Sequence, residues 1–83
     1  YMTTQSEIRE WLEIAMEKGA THLIVAADLF DYENYPVYVL PGMDVRKEAN
    51  KRNNSQDMSR VMEVYNLSMN LEEQLSQNRC FNY

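Results

Sequence analysis

A single cysteine, Cys80, stands in the 83-residue chain, so no disulfide can close within it, and an unpaired thiol suits a reducing compartment. There is one histidine, His22, and no Cys-x-x-Cys pair, which leaves no ligand set for zinc. No apolar run comes near the ~20 residues of a membrane span, and no basic-then-apolar leader opens the chain. These absences point to a soluble, cytoplasmic protein without membrane contact and without a cofactor. Cations are scarce as well. Eight Lys and Arg against thirteen Asp and Glu give a net charge of −5, which disfavours general nucleic-acid binding, because that affinity comes from neutralising phosphates. A chain this short buries only about 60–65 % of its unfolded surface. With neither disulfide nor metal to help, self-association is the remaining aid, and a homodimer or higher oligomer is expected.

Charge is unevenly spread. Residues 1–43 carry a net −5, residues 44–60 a net +2, and the remainder a net −2. Tyr1 ahead of Met2 reads as an added residue, with Met2 as the natural start, so one domain is taken over residues 2–83.

Thr4-Gln5-Ser6-Glu7 fits a capping box, and Ile8, Trp11, Leu12, Ala15 and Met16 follow at helical spacing. Lys18 and Gly19 mark the end of that helix. His22-Leu23-Ile24-Val25-Ala26-Ala27 is apolar without alternation, the pattern of a strand covered on both faces. A second strand runs over Pro36–Leu40, with proline at its first position, where a missing N–H is tolerated. Pro41-Gly42 supplies a turn, and a short polar helix over Met43–Lys51 buries Val45 and Ala49. The last helix is expected from Asn54 or Ser55, with Asp57 in its first turn, to Gln77. It carries two apolar stripes, Met58/Val61/Met62/Tyr65/Met69 and Val64/Leu67/Leu71/Leu75, which call for two neighbours and hence for a helix-mediated dimer. The expected fold is α+β: a two-stranded sheet, a helix before it, a short and a long helix after it, completed by oligomerisation.

Three groups of residues bear on function. Asp28, Asp31, Tyr32, Glu33, Tyr35 and Tyr38 set carboxylates and tyrosines on and beside one loop, either as a solvated turn or as a partner-binding rim. Without a central glycine or oxygens at alternate positions the loop does not read as a calcium site. Arg46, Lys47, Arg52 and Arg60 form a basic group that either pairs with the acidic first half or holds an anion, helped by helix starts near residues 44 and 55, and Arg79 joins Arg46, Lys47 and Arg60 as a candidate for holding a phosphate. No glycine-rich phosphate loop accompanies them. His22 has no partner nucleophile in view, and Cys80 sits in no nucleophile motif, so no catalytic residue is assigned. The ending Asn78-Arg79-Cys80-Phe81-Asn82-Tyr83 is too aromatic for a free tail and is expected to pack.

Gly19-Ala20-Thr21-His22, Phe30-Asp31-Tyr32, Tyr35-Pro36-Val37-Tyr38-Val39, Val61-Met62-Glu63-Val64-Tyr65 and the closing Phe81-Asn82-Tyr83 resemble a group of small accessory proteins of phages and prophages. The resemblance spans most of residues 2–83. It implies an accessory phage protein acting in the cytoplasm of a bacterial host, and by analogy an inhibitor or sequestering agent aimed at host defence. It carries over no catalytic residue. The expectation is therefore a non-enzymatic protein that inhibits a host defence protein through its acidic, tyrosine-rich face. The alternatives are an oligomer that sequesters a small nucleotide, with the tyrosines stacking on its base, and a small hydrolase built on His22 and Asp28.

Overall fold

The computed structural model describes residues 4–31, 33–53, 58–77 and 79–83. Helix α1 spans Gln5–Glu17, and the Thr4 hydroxyl accepts the Glu7 N–H at 3.2 Å to cap its start. Ile8, Leu12 and Ala15 of the expected stripe are buried, while Met16 is exposed. The helix stops at Gly19, whose φ of +70° is the left-handed conformation a helix end favours in glycine.

Strand β1 covers His22–Asp28 and pairs antiparallel with β2, Asn34–Val39, in the register Leu23 to Tyr38 and Val25 to Pro36. Helix α2 covers Val45–Arg52. One Asp44 oxygen accepts the Arg46 and Lys47 N–H groups at 3.0 and 3.3 Å and caps the helix, whose start near residue 44 is the expected one.

The long C-terminal helix does not form. Residues Ser59–Asn66 are instead a third strand, β3, and only Leu71–Leu75 make a short helix, α3. The expected start at Asn54, Ser55 and Asp57 lies outside the described residues. A β-bulge explains why a strand imitates helical spacing. β3 pairs antiparallel with β1 in a register that shifts between Val25 and Ala26, so Met62 is an extra residue between Val61 (opposite Ala26) and Glu63 (opposite Val25). Without the bulge, same-face residues would be two apart. With it, Val61 and Val64 share one face, Met62 and Tyr65 the other, and each pair is three apart. Two valines and a tyrosine in a run of five also favour a strand once both faces can be buried.

The sheet order is β2-β1-β3. One face packs on α1 and α3 through Ile8, Leu12, Leu23, Val25, Tyr65, Leu75 and Cys80. The other packs on α2 through Ile24, Val37, Val39, Ala49, Val61 and Val64. Each expected stripe is thus divided between the two faces of the sheet, Val61 and Val64 on one and Met62, Tyr65 and Leu75 on the other, both covered by the chain's own helices, and the argument for a helix-mediated dimer goes with the helix. The sheet gains its third strand from within the chain. The architecture is α+β, as expected, with one strand more.

Beyond β3 the tail packs as the sequence suggests. The Val64 N–H donates to the Cys80 carbonyl at 2.6 Å and the Asn82 N–H donates to the Val64 carbonyl at 3.0 Å, setting Phe81 beside Val64 in a parallel bridge.

Candidate functional site

The extended tail alternates its side chains as a strand does. Cys80 and Asn82 turn inward. The Cys80 thiol donates to the Val64 carbonyl at 3.1 Å, and the Asn82 amide donates to Gln74 Oε1 at 3.1 Å. Gln74 is only 1 % exposed and is the anchor of this region. Its Oε1 also accepts the Asn66 N–H at 2.7 Å, and its Nε2 donates to the Asn66 and Asn70 carbonyls at 2.8 and 3.2 Å.

Arg79, Phe81 and Tyr83 turn the other way, toward α2, and with Asn50, Asn53 and Arg60 they line a cleft of about 210 Å³. Phe81 is 44 % and Tyr83 39 % exposed, so both rings present surface at its lip. Arg46 lies over the Tyr83 ring with its guanidinium carbon 4.4 Å from the centroid, and Arg79 lies 5.9 Å from that of Phe81. The ion pairs among the described residues are Arg9 with Glu72 and Lys51 with Glu48. Arg46, Lys47, Arg60 and Arg79 take part in neither, so the expected pairing of this group with the acidic first half is absent there. Arg60 and Arg79 come together in the cleft and Arg46 holds its rim residue, whereas Lys47 is exposed on α2 and outside the lining.

Helix polarity does not assist this cleft. The lining residues of α2 are Ala49, Asn50 and Asn53, in its second half and at its end, so the anion-favouring N-terminus at Asp44 points elsewhere. Guanidinium charge and side-chain amides are what the site offers. Next to Arg79, Glu63 is partly buried, and desolvation raises its carboxyl above the usual range, opposed by the Tyr65 hydroxyl donating at 2.8 Å, the Cys80 N–H and the charge of Arg79. Burial and the neighbouring Glu63 push the Cys80 thiol up, which keeps it protonated and unreactive.

The acidic loop is arranged differently. Asp28 Oδ1 accepts the Phe30 N–H at 2.8 Å and Asp31 Oδ1 accepts the Glu33 N–H at 3.1 Å, turns that leave Phe30 78 % exposed among carboxylates. Tyr32 lies outside the described residues. Tyr35 and Tyr38 are three apart on one strand and so face opposite sides of the sheet. Tyr35 sits beside Arg52 on the α2 side, while Tyr38 packs against the α1 side beneath Lys18. Asp28, Asp31 and Glu33 share one loop, whereas the two tyrosines lie on opposite faces.

His22 and Asp28 occupy the two ends of β1, about 20 Å apart at ~3.3 Å per residue, too far to share a proton, and the hydrolase alternative loses its dyad. The His22 Nδ1 lies 2.9 Å from the Thr21 hydroxyl, while Nε2 is buried without a partner. Among the described residues no group of three or more His, Cys, Asp or Glu converges as metal ligands would, and no helix is long and apolar enough to cross a membrane.

Sequence reasoning finds Arg60 and Arg79 but misses Asn50, Asn53, Phe81 and Tyr83 as lining. The signal is the alternation Arg79-x-Phe81-x-Tyr83, which acquires meaning only once the tail is a strand. No family model, curated protein or solved structure matches the chain.

Proposed function

We propose that this protein is a non-enzymatic binding protein that captures a small phosphate-bearing anion in the cleft between α2 and the C-terminal strand. The observation that carries this is the meeting of Arg60 and Arg79, neither of them in an ion pair among the described residues, in one concavity with two side-chain amides. Arginine presents a planar fork of donors that matches phosphate oxygens and stays charged. A net negative chain with a basic concavity fits a compact anion better than a long nucleic acid, whose affinity grows with the number of phosphates contacted. The volume, below the ~300–1,000 Å³ of ordinary ligand pockets, suits a phosphate group with a fragment of what it is attached to. In the phage setting that the resemblance implies, such a protein acts by sequestering a small signal of the host. An acidic, tyrosine-rich contact face is the weaker reading, because the strand sends Tyr35 and Tyr38 to opposite sides.

Titration calorimetry with inorganic phosphate and pyrophosphate is the direct test. Binding that weakens with added salt is expected. Arg60→Gln combined with Arg79→Gln should lower it by about 10- to 150-fold, the loss of a hydrogen bond to a charged group being worth ~1.5–3 kcal/mol. Saturable binding that the double variant leaves unchanged would place the anion elsewhere. No binding by the wild-type chain would end the proposal.

A further inference from the structure

We infer that the ligand is a nucleotide, with its phosphate on Arg60 and Arg79 and its base stacked at the lip on Phe81 and Tyr83; this rests on the anion-binding reading above. Four observations converge. First, two aromatic rings border the arginine pair, and both keep well over a third of their surface open to solvent. A phenylalanine left exposed beside guanidinium groups gives phosphate no hydrogen bond, but it offers a flat apolar surface on which a base can lie. Second, Tyr83 is held in place: Arg46 covers its ring at 4.4 Å, so one ring of the platform is fixed before any ligand arrives. Third, Asn50 and Asn53 border the same space, and an amide offers donor and acceptor together, the pairing that sugar hydroxyls and base edges present. Fourth, the size fits a divided ligand. About 210 Å³ encloses a phosphate and part of a sugar, leaving the base at the mouth, where the exposed rings are.

This placement differs from stacking by Tyr32, Tyr35 or Tyr38. Tyr38 is on the wrong face of the sheet, and Tyr35 stands outside the cleft lining. The platform is supplied by the last residues of the chain. It exists because the Gln74 network holds Cys80 and Asn82 against β3 and so turns the odd-numbered residues outward. Stacking is tolerant of base identity, so the inference concerns mononucleotides as a class.

The experiment compares four kinds of probe by calorimetry on the full chain: inorganic phosphate, the uncharged nucleosides, the four nucleoside 5′-monophosphates, and cyclic mononucleotides. At least one nucleotide class should bind about 5- to 150-fold more tightly than inorganic phosphate, the range that one stacked base supplies. Phe81→Leu, which keeps an apolar residue beside Val64 but removes the flat ring, should reduce the ratio of nucleotide to phosphate affinity about tenfold, a ratio in which any change at Arg79, which lies against the ring, cancels. Circular dichroism melting of the variant shows whether the tail remains in place. If phosphate binds and nucleotides bind no better, the inference falls while the anion site stands. If nucleotides bind better but Phe81→Leu is without effect in a folded protein, the platform assignment is overturned. If nothing binds, both readings fall together.

Discussion

His22 is the residue at which burial and charge conflict most openly. Its Nε2 is enclosed without a hydrogen-bond partner, and desolvation holds the imidazole below its ordinary pKa of 6.5. The unfolded chain therefore takes up a proton first as pH falls, and the folded chain only at lower pH. The stabilisation is complete above 6.5 and declines as pH drops through that value toward the folded pKa. Glu63 acts in the opposite sense. Its carboxyl is raised above 4.5 by burial, so the stability linked to it is present below 4.5 and lost as pH rises through the folded pKa. The two are separated by substitution. Thermal melts between about pH 7.5 and pH 5 should show a fall in Tm for the wild-type chain that is clearly smaller in His22→Gln, which carries no proton in that range. Parallel Tm profiles would mean that the buried nitrogen does not resist protonation.

At the scale of elements, the sequence and the structure agree wherever one local rule suffices. Thr4 caps α1, Gly19 ends it, Asp44 caps α2, and the unbroken apolar run of β1 is buried on both faces. They part at β3, and the cause is specific. A bulge inserts Met62 and turns a period of two into spacings of three, which reads as a helix when the pairing strand is not in view. The candidate site was half legible for the same reason. Arg60 and Arg79 are visible as charge, but Phe81 and Tyr83 gain a role only from the tail's pairing with Val64, a contact sixteen or more residues distant in sequence. That pairing hangs on Gln74. Replacing it by methionine keeps much of the volume but deprives the Asn66 N–H and carbonyl and the Asn82 amide of their partner. A cost of about 2–3 kcal/mol follows from leaving such groups buried and unpaired, or a Tm lower by roughly 10–20 °C for a chain of this size. Measured where the variant is still folded, its anion affinity should also fall several-fold, because Arg79 and the two rings lose their support. A Gln74→Met protein that melts lower yet binds as the wild type does would show that the site does not depend on the docked strand.

For the molecule as a whole, the question is whether it needs a second copy. Composition alone argues that it does, since a short chain without disulfide or metal has a thin core. Three features of the fold argue for a single copy. Both sheet faces are covered, by α1 and α3 on one side and α2 on the other. The β3 edge is met by the chain's own tail at Val64. The β2 edge is interrupted: the bond from the Asp28 N–H to the Glu33 carbonyl and the register from there put Pro36 among the residues whose main-chain groups face outward, and Pro36 has no N–H to give an added strand. The Leu40 N–H next along is taken by the Met43 sulfur at 3.4 Å. The Cα radius of gyration, 11.9 Å, is what a compact chain of this length gives by itself, about 12 Å. Net charge of −5 adds repulsion between copies. Sedimentation equilibrium over an approximately hundredfold concentration range should therefore return the mass of one chain, with a Tm that does not rise with concentration, as it would for a dimer that gains stability by mass action. A stable dimer would overturn this, and Phe30→Asp would then test whether the most exposed aromatic side chain among the described residues is its contact.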